Sequence, residues 1–236
     1  MATRLTTVPD LEPGRICDRL NRFVLAVDHP TDGTLEAYFP NTGGYNLVEP
    51  GREVRLEAVS SETRRTDYTV RFVDVNGVWV SAVASFANDA FEAAVTGGHL
   101  PWLEDWTITR REPPLPEGGR ADFSIESTDG REGIVEVKSC TLAESDVARF
   151  PDRPTERGRR HLQALADISD RTAFVVFVVQ RPDASRFALN WPVDPAFASA
   201  VKDAREAGVV LRAIQLRNDL PAVRLTASDL PISFER

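Results

Sequence analysis

The spacing of apolar residues changes character at Val83, and this change constrains the fold more than any other feature of the chain. Before it, apolar and polar side chains alternate in short runs, the period of strands with one buried face. Segments 23–27, 35–39, 54–59, 68–75 and 78–80 read as strands, with turn signals at Pro30-Thr31-Asp32-Gly33 and Pro40-Asn41-Thr42-Gly43-Gly44. Asn76-Gly77 is the strongest hairpin signal in the chain. Five strands within about seventy residues predict a small closed barrel, either OB-like or SH3-like.

Beyond Val83 the period is helical over 86–95 and stops at Gly97-Gly98, after which strands and helices alternate. Segment 174–179 is continuously apolar, as in a strand covered on both faces. Asp194-Pro195 supplies an N-cap and first-turn proline for a helix over 197–207, Gly208 stands at its C′ position, and a strand follows over 209–216. Strand, helix and strand in that order predict a parallel pair. The chain therefore divides into an all-β barrel at 1–83 and an α/β domain at 84–236, and 236 residues with 42% hydrophobic content suffice for two modest cores.

Composition narrows the functional classes. Two cysteines, Cys17 and Cys140, make neither a disulfide framework nor a CxxC metal site, and read as buried thiols in a reducing compartment. The N-terminus lacks the apolar run of a signal peptide and no segment is apolar enough to span a membrane, so a cytoplasmic location is expected. A net charge of −8 argues against indiscriminate binding to phosphate, but leaves room for a local basic groove.

One hairpin carries a pattern that points to chemistry. Two strands between Arg120 and Cys140 flank Thr128-Asp129-Gly130, and a turn centred on Asp129 sets Asp122 opposite Glu136 and Arg120 opposite Lys138. Those four side chains share one face, while Ala121, Phe123, Ile125, Val135 and Val137 take the other. Opposed side chains in an antiparallel pair have Cβ atoms about 4.5–5.5 Å apart, close enough for two carboxylates to share a divalent cation. A solvated strand face with charges paired across the hairpin would give the same string, but it would more cheaply oppose acid to base than acid to acid. With Mg²⁺ or Mn²⁺ held by Asp122 and Glu136, Lys138 would position water or stabilise charge, and Arg120 would contact phosphate.

The segment that follows is the most basic in the chain: Phe150-Pro151-Asp152-Arg153-Pro154-Thr155-Glu156-Arg157-Gly158-Arg159-Arg160-His161. Asp152 or Thr155 would cap a helix reaching about Ile168, with Leu162, Leu165 and Ile168 as its buried stripe. Arg153, Arg157, Arg160 and His161 are then candidates for nucleic-acid contact near the helix N-terminus, against the alternative of an ordinary charged helix face. In the barrel, Tyr38, Phe39, Tyr45, Arg64 and Arg65 are candidates for binding single strands or, for the aromatics, barrel core.

Together these stretches resemble the sugar fermentation stimulation protein family (SfsA). The resemblance rests on Glu136-Val137-Lys138 with Thr141-Leu142, the Phe150-Pro151-Asp152 to His161-Leu162 segment, Pro40-Asn41-Thr42-Gly43, Glu49-Pro50-Gly51, Arg120-Ala121-Asp122-Phe123, Phe177 to Arg181 and Ala207-Gly208-Val209, all in family order. It implies an N-terminal OB-fold domain, a C-terminal domain of the restriction-endonuclease-like PD-(D/E)XK fold, and a nucleic-acid-binding role linked to sugar metabolism genes. Asp122 corresponds to the motif aspartate, and Glu136 and Lys138 to its Glu-x-Lys. The chain departs from the family pattern at Tyr38, where members usually carry histidine, at Gly44-Tyr45-Asn46, and at Pro113-Pro114. The expectation is a metal-dependent nuclease acting on DNA or RNA. A non-catalytic DNA-binding regulator retaining the nuclease fold, or an acidic adaptor, stands as the alternative, and a homodimer is left open.

Overall fold

A computed structural model describes residues 2–41, 43–44, 46–60, 63–115 and 119–235. Six strands form the first sheet: β2 (Glu12–Arg19), β3 (Val24–His29), β4 (Gly33–Tyr38), β5 (Glu53–Ala58), β6 (Tyr68–Val75) and β7 (Val78–Ser81), in the order β4-β3-β2-β5-β6-β7. A parallel pairing of β4 with β6 closes five of them into a barrel, and β7 extends from β6 as a hairpin. This is the OB arrangement. The fifth barrel strand is β2, not the 78–80 segment, and its proline and glycine hide it from a propensity reading. Gly14 makes it possible, since a Cβ there would stand 2.6 Å from Val27 Cγ1.

The second unit centres on a seven-stranded mixed sheet. β1 (Thr3–Thr7), β8 (Trp106–Arg111), β9 (Phe123–Ser127), β10 (Glu132–Cys140), β13 (Thr172–Val179), β15 (Val210–Asp219) and β16 (Ala222–Ala227) lie in the order β1-β16-β15-β13-β10-β9-β8. β10, β13 and β15 are parallel, as the strand-helix-strand pattern predicts. β1 departs from a division at residue 83, because it pairs antiparallel with β16 and thereby covers an edge the second unit would otherwise expose.

Among the described residues three α-helices cover this sheet: α1 (Phe86–Thr96), α2 (Glu156–Ala166) and α3 (Pro195–Glu206). Thr155 Oγ1 caps α2 by accepting from Gly158 N at 3.1 Å, and Asp194 Oδ1 caps α3 by accepting from Phe197 N at 2.9 Å. A smaller sheet orders β11 (Leu142–Glu144), β12 (Val147–Phe150), β14 (Arg186–Leu189) and β17 (Ile232–Ser233). In β13, Val175, Phe177 and Val179 join a core with α2 and α3, while Phe174, Val176 and Val178 join a core with α1 and the barrel's Phe72. Both faces are therefore buried, as its apolar run requires. Cys140 is buried, but Cys17 is exposed because it points outward beside buried Ile16. Among the described residues no helix is long and apolar enough to cross a membrane.

Candidate active site

β10 outruns its hairpin partner, and the site forms where the pairing stops. β9 and β10 pair with Phe123 opposite Val135, the register read from the turn, and Gly130 takes φ +83° at that turn. Asp122 N donates to Val135 O at 3.1 Å, and on its N-terminal side the chain parts from β10 and pairs with residues 112–115 instead. The next inward-facing amide, Val137 N, donates instead to Asp122 Oδ2 at 2.7 Å, so a side chain takes the place of a ladder carbonyl. Asp122 Oδ1 accepts from Asn88 Nδ2 of α1 at 2.7 Å. Two donors on different elements thus fix this carboxylate.

Glu136 lies on the face of β10 that α2 covers, and only 4% of it is exposed. Its Oε1 receives both Lys138 Nζ, at 2.5 Å, and His161 Nδ1 of α2, at 2.6 Å. Burial pushes the Glu136 carboxyl up, but His161 and Lys138 outweigh it and hold the group below its ordinary value. Asp122 moves the other way: burial first and the Glu136 charge second raise it, against the Val137 amide, Asn88 and Lys138. Two carboxylates of one pocket are thereby driven apart in acidity.

Both carboxylates and Lys138 line a cavity of about 420 Å³. Among the described residues five cationic side chains, Arg120, Lys138, Arg149, Arg153 and Arg157, line it with three carboxylates, Asp122, Glu136 and Asp152, so the pocket is locally basic in an acidic chain. Barrel residues Pro40, Asn41 and Gly43 supply part of the wall. No set of three or more His, Cys, Asp or Glu side chains among the described residues is disposed to hold a metal ion.

The structure sorts the candidates that the sequence singled out. Arg153, Arg157 and His161 reach the pocket, whereas Arg160 is exposed and outside its wall. His161 braces Glu136 directly instead of facing outward. Arg120 lines the pocket but does not oppose Lys138 in a ladder: the paired strand begins at Phe123, and Arg120 bridges to Pro114 and ion-pairs with Glu112 at 2.8 Å. Ala121, expected beside Phe123, packs in the opposite core with Leu115 because the chain there pairs with Pro113 and not with β10. In the barrel Phe39 is core, Arg65 is exposed, Tyr38 stacks on Phe23 at 6.4 Å beneath Arg64 at 5.1 Å, and Tyr45 lies outside the described residues. Sequence reading missed Asn88, on a helix with no motif of its own, and Arg149, which immediately precedes the Phe150-Pro151-Asp152 stretch.

Comparison with known proteins agrees with this architecture. Residues 17–82 match the model of the SfsA N-terminal OB domain, and residues 85–221 match that of the sugar fermentation stimulation protein RE domain. The chain belongs to the SfsA family. Two relatives, both described as sugar fermentation stimulation protein homologs, come from Natranaerobius thermophilus and Acetivibrio thermocellus. The first is 38% identical over 86% of this chain and 87% of its own; the second is 37% identical over 92% and 93%. The solved structure of Pyrococcus furiosus SfsA in complex with Ca²⁺ superposes with a TM-score of 0.89 at 31% identity, covering 98% of this chain and 99% of that one. The family's two-domain fold, an OB barrel followed by a restriction-endonuclease-like domain, is thus the fold of this chain.

Proposed function

We propose that this SfsA-family protein is a nucleic-acid-binding, metal-dependent nuclease hydrolysing phosphodiester bonds in DNA or RNA, with Mg²⁺ or Mn²⁺. The observation that carries the reading is the meeting of Asp122 and Glu136 on one pocket, with the Asp122 carboxyl raised by burial and by the Glu136 charge. A divalent cation relieves that repulsion. The donor set fits an ion that takes one or two protein carboxylates and fills its remaining positions with water and phosphate oxygens, as Mg²⁺ does. Ca²⁺ in the Pyrococcus furiosus relative supports a divalent ion in this fold. When bound, such an ion polarises a phosphoryl oxygen and acidifies water.

The side chains divide the remaining work. Asp122 and Glu136 would hold the ion, and His161 and Lys138 fix Glu136 in orientation through Oε1. The Lys138 ammonium would also donate to the attacking water or to charge developing on phosphate. Arg149, Arg153 and Arg157 offer guanidinium groups to flanking phosphates. The stacked Phe23 and Tyr38 with Arg64 extend a surface on the barrel suited to unpaired bases. One observation favours a non-catalytic regulator: Glu136 Oε1, one of the carboxylate oxygens proposed to hold the ion, already bonds both Lys138 Nζ and His161 Nδ1.

A cleavage assay decides between them. Native protein, Lys138→Ala and Glu136→Ala are incubated with single- and double-stranded DNA and RNA in Mg²⁺, Mn²⁺ or EDTA. Cleavage by native protein in metal alone, reduced at least about a hundredfold by either substitution, is expected. Equal cleavage by all three, or oligonucleotide binding with no cleavage in any metal, overturns the nuclease reading.

A further inference from the structure

A second cavity of about 580 Å³ adjoins the first, and Arg149 and Asp152 stand in the walls of both. Its chemistry differs. Leu142, Leu189, Trp191, Pro192 and Val193 give it apolar walls, and Asn46 of the barrel closes one side. Trp191 is held on a rigid support, because the preceding Asn190 is buried, donates from its backbone to Phe150 O at 2.9 Å and from Nδ2 to Pro151 O at 2.9 Å. Asn46 donates through Nδ2 to Thr141 O at 3.2 Å, which ties this wall of the cavity to the end of the strand bearing Cys140.

We propose that this cavity is a nucleoside subsite, which takes the base of the nucleotide next to the scissile phosphate and stacks it against Trp191. The inference rests on the nuclease reading and adds a recognition element to it. A nucleotide joins an anionic phosphate to a flat, largely apolar base through one sugar. The two cavities offer the same pair of chemistries, joined at Arg149. Glu144 and Glu235 also line the second cavity and disfavour a further phosphate there, so the strand's backbone does not run through it. The cavity lies within the size range of small-molecule sites.

The test walks a single abasic residue through a fluorescent single-stranded DNA 12-mer and measures affinity by anisotropy in Ca²⁺. With native protein, one position is expected to lose about tenfold in affinity when its base is removed, the order contributed by a stacked base. Trp191→Ala, and separately Leu142→Trp, which fills the cavity while leaving Trp191 in place, bind the intact strand about tenfold more weakly and no longer distinguish the abasic one. Thermal melting shows which variants are folded, and either folded variant suffices. Equal affinity for intact and abasic strands at every position of the native protein, or a penalty that survives in a folded variant, overturns the subsite and leaves the nuclease reading standing. Absence of any binding or cleavage by native protein instead overturns that reading, and the subsite with it.

Discussion

Replacing Asp122 by asparagine tests the central electrostatic claim without any assay of activity. The substitution keeps the shape and the acceptor for Val137 N, and the Asn88 amide can rotate to meet the new donor. It removes one of two like charges that share a pocket. For two like charges lining one pocket, taken at about 5 Å and an effective dielectric constant of about 20, the repulsion is about 3 kcal/mol. Loss of the attraction to Lys138 offsets part of this. A net stabilisation of roughly 1–2 kcal/mol corresponds to a rise in Tm of roughly 2–8 °C for a chain of this size. The sign with pH follows from the raised Asp122 carboxyl: its ionised form costs folding free energy above that raised value, and the cost vanishes as pH falls below the ordinary 3.8, where folded and unfolded states are both protonated. Scanning fluorimetry in EDTA should therefore show the variant's advantage at pH 8 and little of it near pH 4. In Mn²⁺ the order should reverse, because the native protein gains about 2.7 kcal/mol at a hundredfold excess over Kd. A variant that melts below native protein in EDTA at pH 8 would refute the reasoning.

Glu136→Gln strands Lys138 and His161 beside a neutral group and should cost about 3 kcal/mol in denaturant unfolding at pH 7, typical of breaking a buried ion pair. Because the Glu136 carboxyl is depressed, the native contribution is present above the ordinary carboxylate value and lost as pH falls through the depressed one, so the gap between native and variant should close in strong acid. Gly43→Ala puts a Cβ 2.8 Å from Asp152 Oδ2 and should destabilise by about 1–3 kcal/mol; adding Asp152→Ala should recover part of that in a double-mutant cycle. Arg157→Ala should weaken oligonucleotide binding and lower the slope of its salt dependence by about one, whereas Arg160→Ala, outside the pocket wall, should leave both unchanged.

The hairpin register was legible because turn chemistry and strand parity determine it locally. Gly130 supplies the positive φ, and every pair then follows by counting to Phe123 and Val135. The caps of α2 and α3 were legible for the same reason, since Thr155 and Asp194 act within three residues. Counting failed where pairing ended. Arg120 and Ala121 obeyed the strand's alternation only on paper, because they pair with Pro113 and Pro114 beyond β8 and not with β10. β1 and β2 were hidden because their strand character comes from distant partners: Arg224 and Leu225 for the first, and the close approach of Gly14 to Val27 for the second. Asn88 reaches Asp122 across 34 residues of sequence, a contact no local spacing encodes.

The Phe150-Pro151-Asp152 stretch shows why a motif beside a site need not be part of its chemistry. Phe150 packs against Phe177 and Phe197, Pro151 O accepts from buried Asn190, and Asp152 Oδ2 accepts from Gly44 N of the barrel at 2.9 Å. Asn46 makes a second bond across the same seam, to Thr141 O. These contacts bring Pro40, Asn41 and Gly43 of the barrel to the wall around Asp122 and Glu136. A bulkier residue at Gly43 would push the loop from Asp152, so glycine there serves close packing between two domains. The pocket is consequently a property of the joined pair, and the barrel's placement contributes to its shape as directly as the strand that carries Glu136 and Lys138.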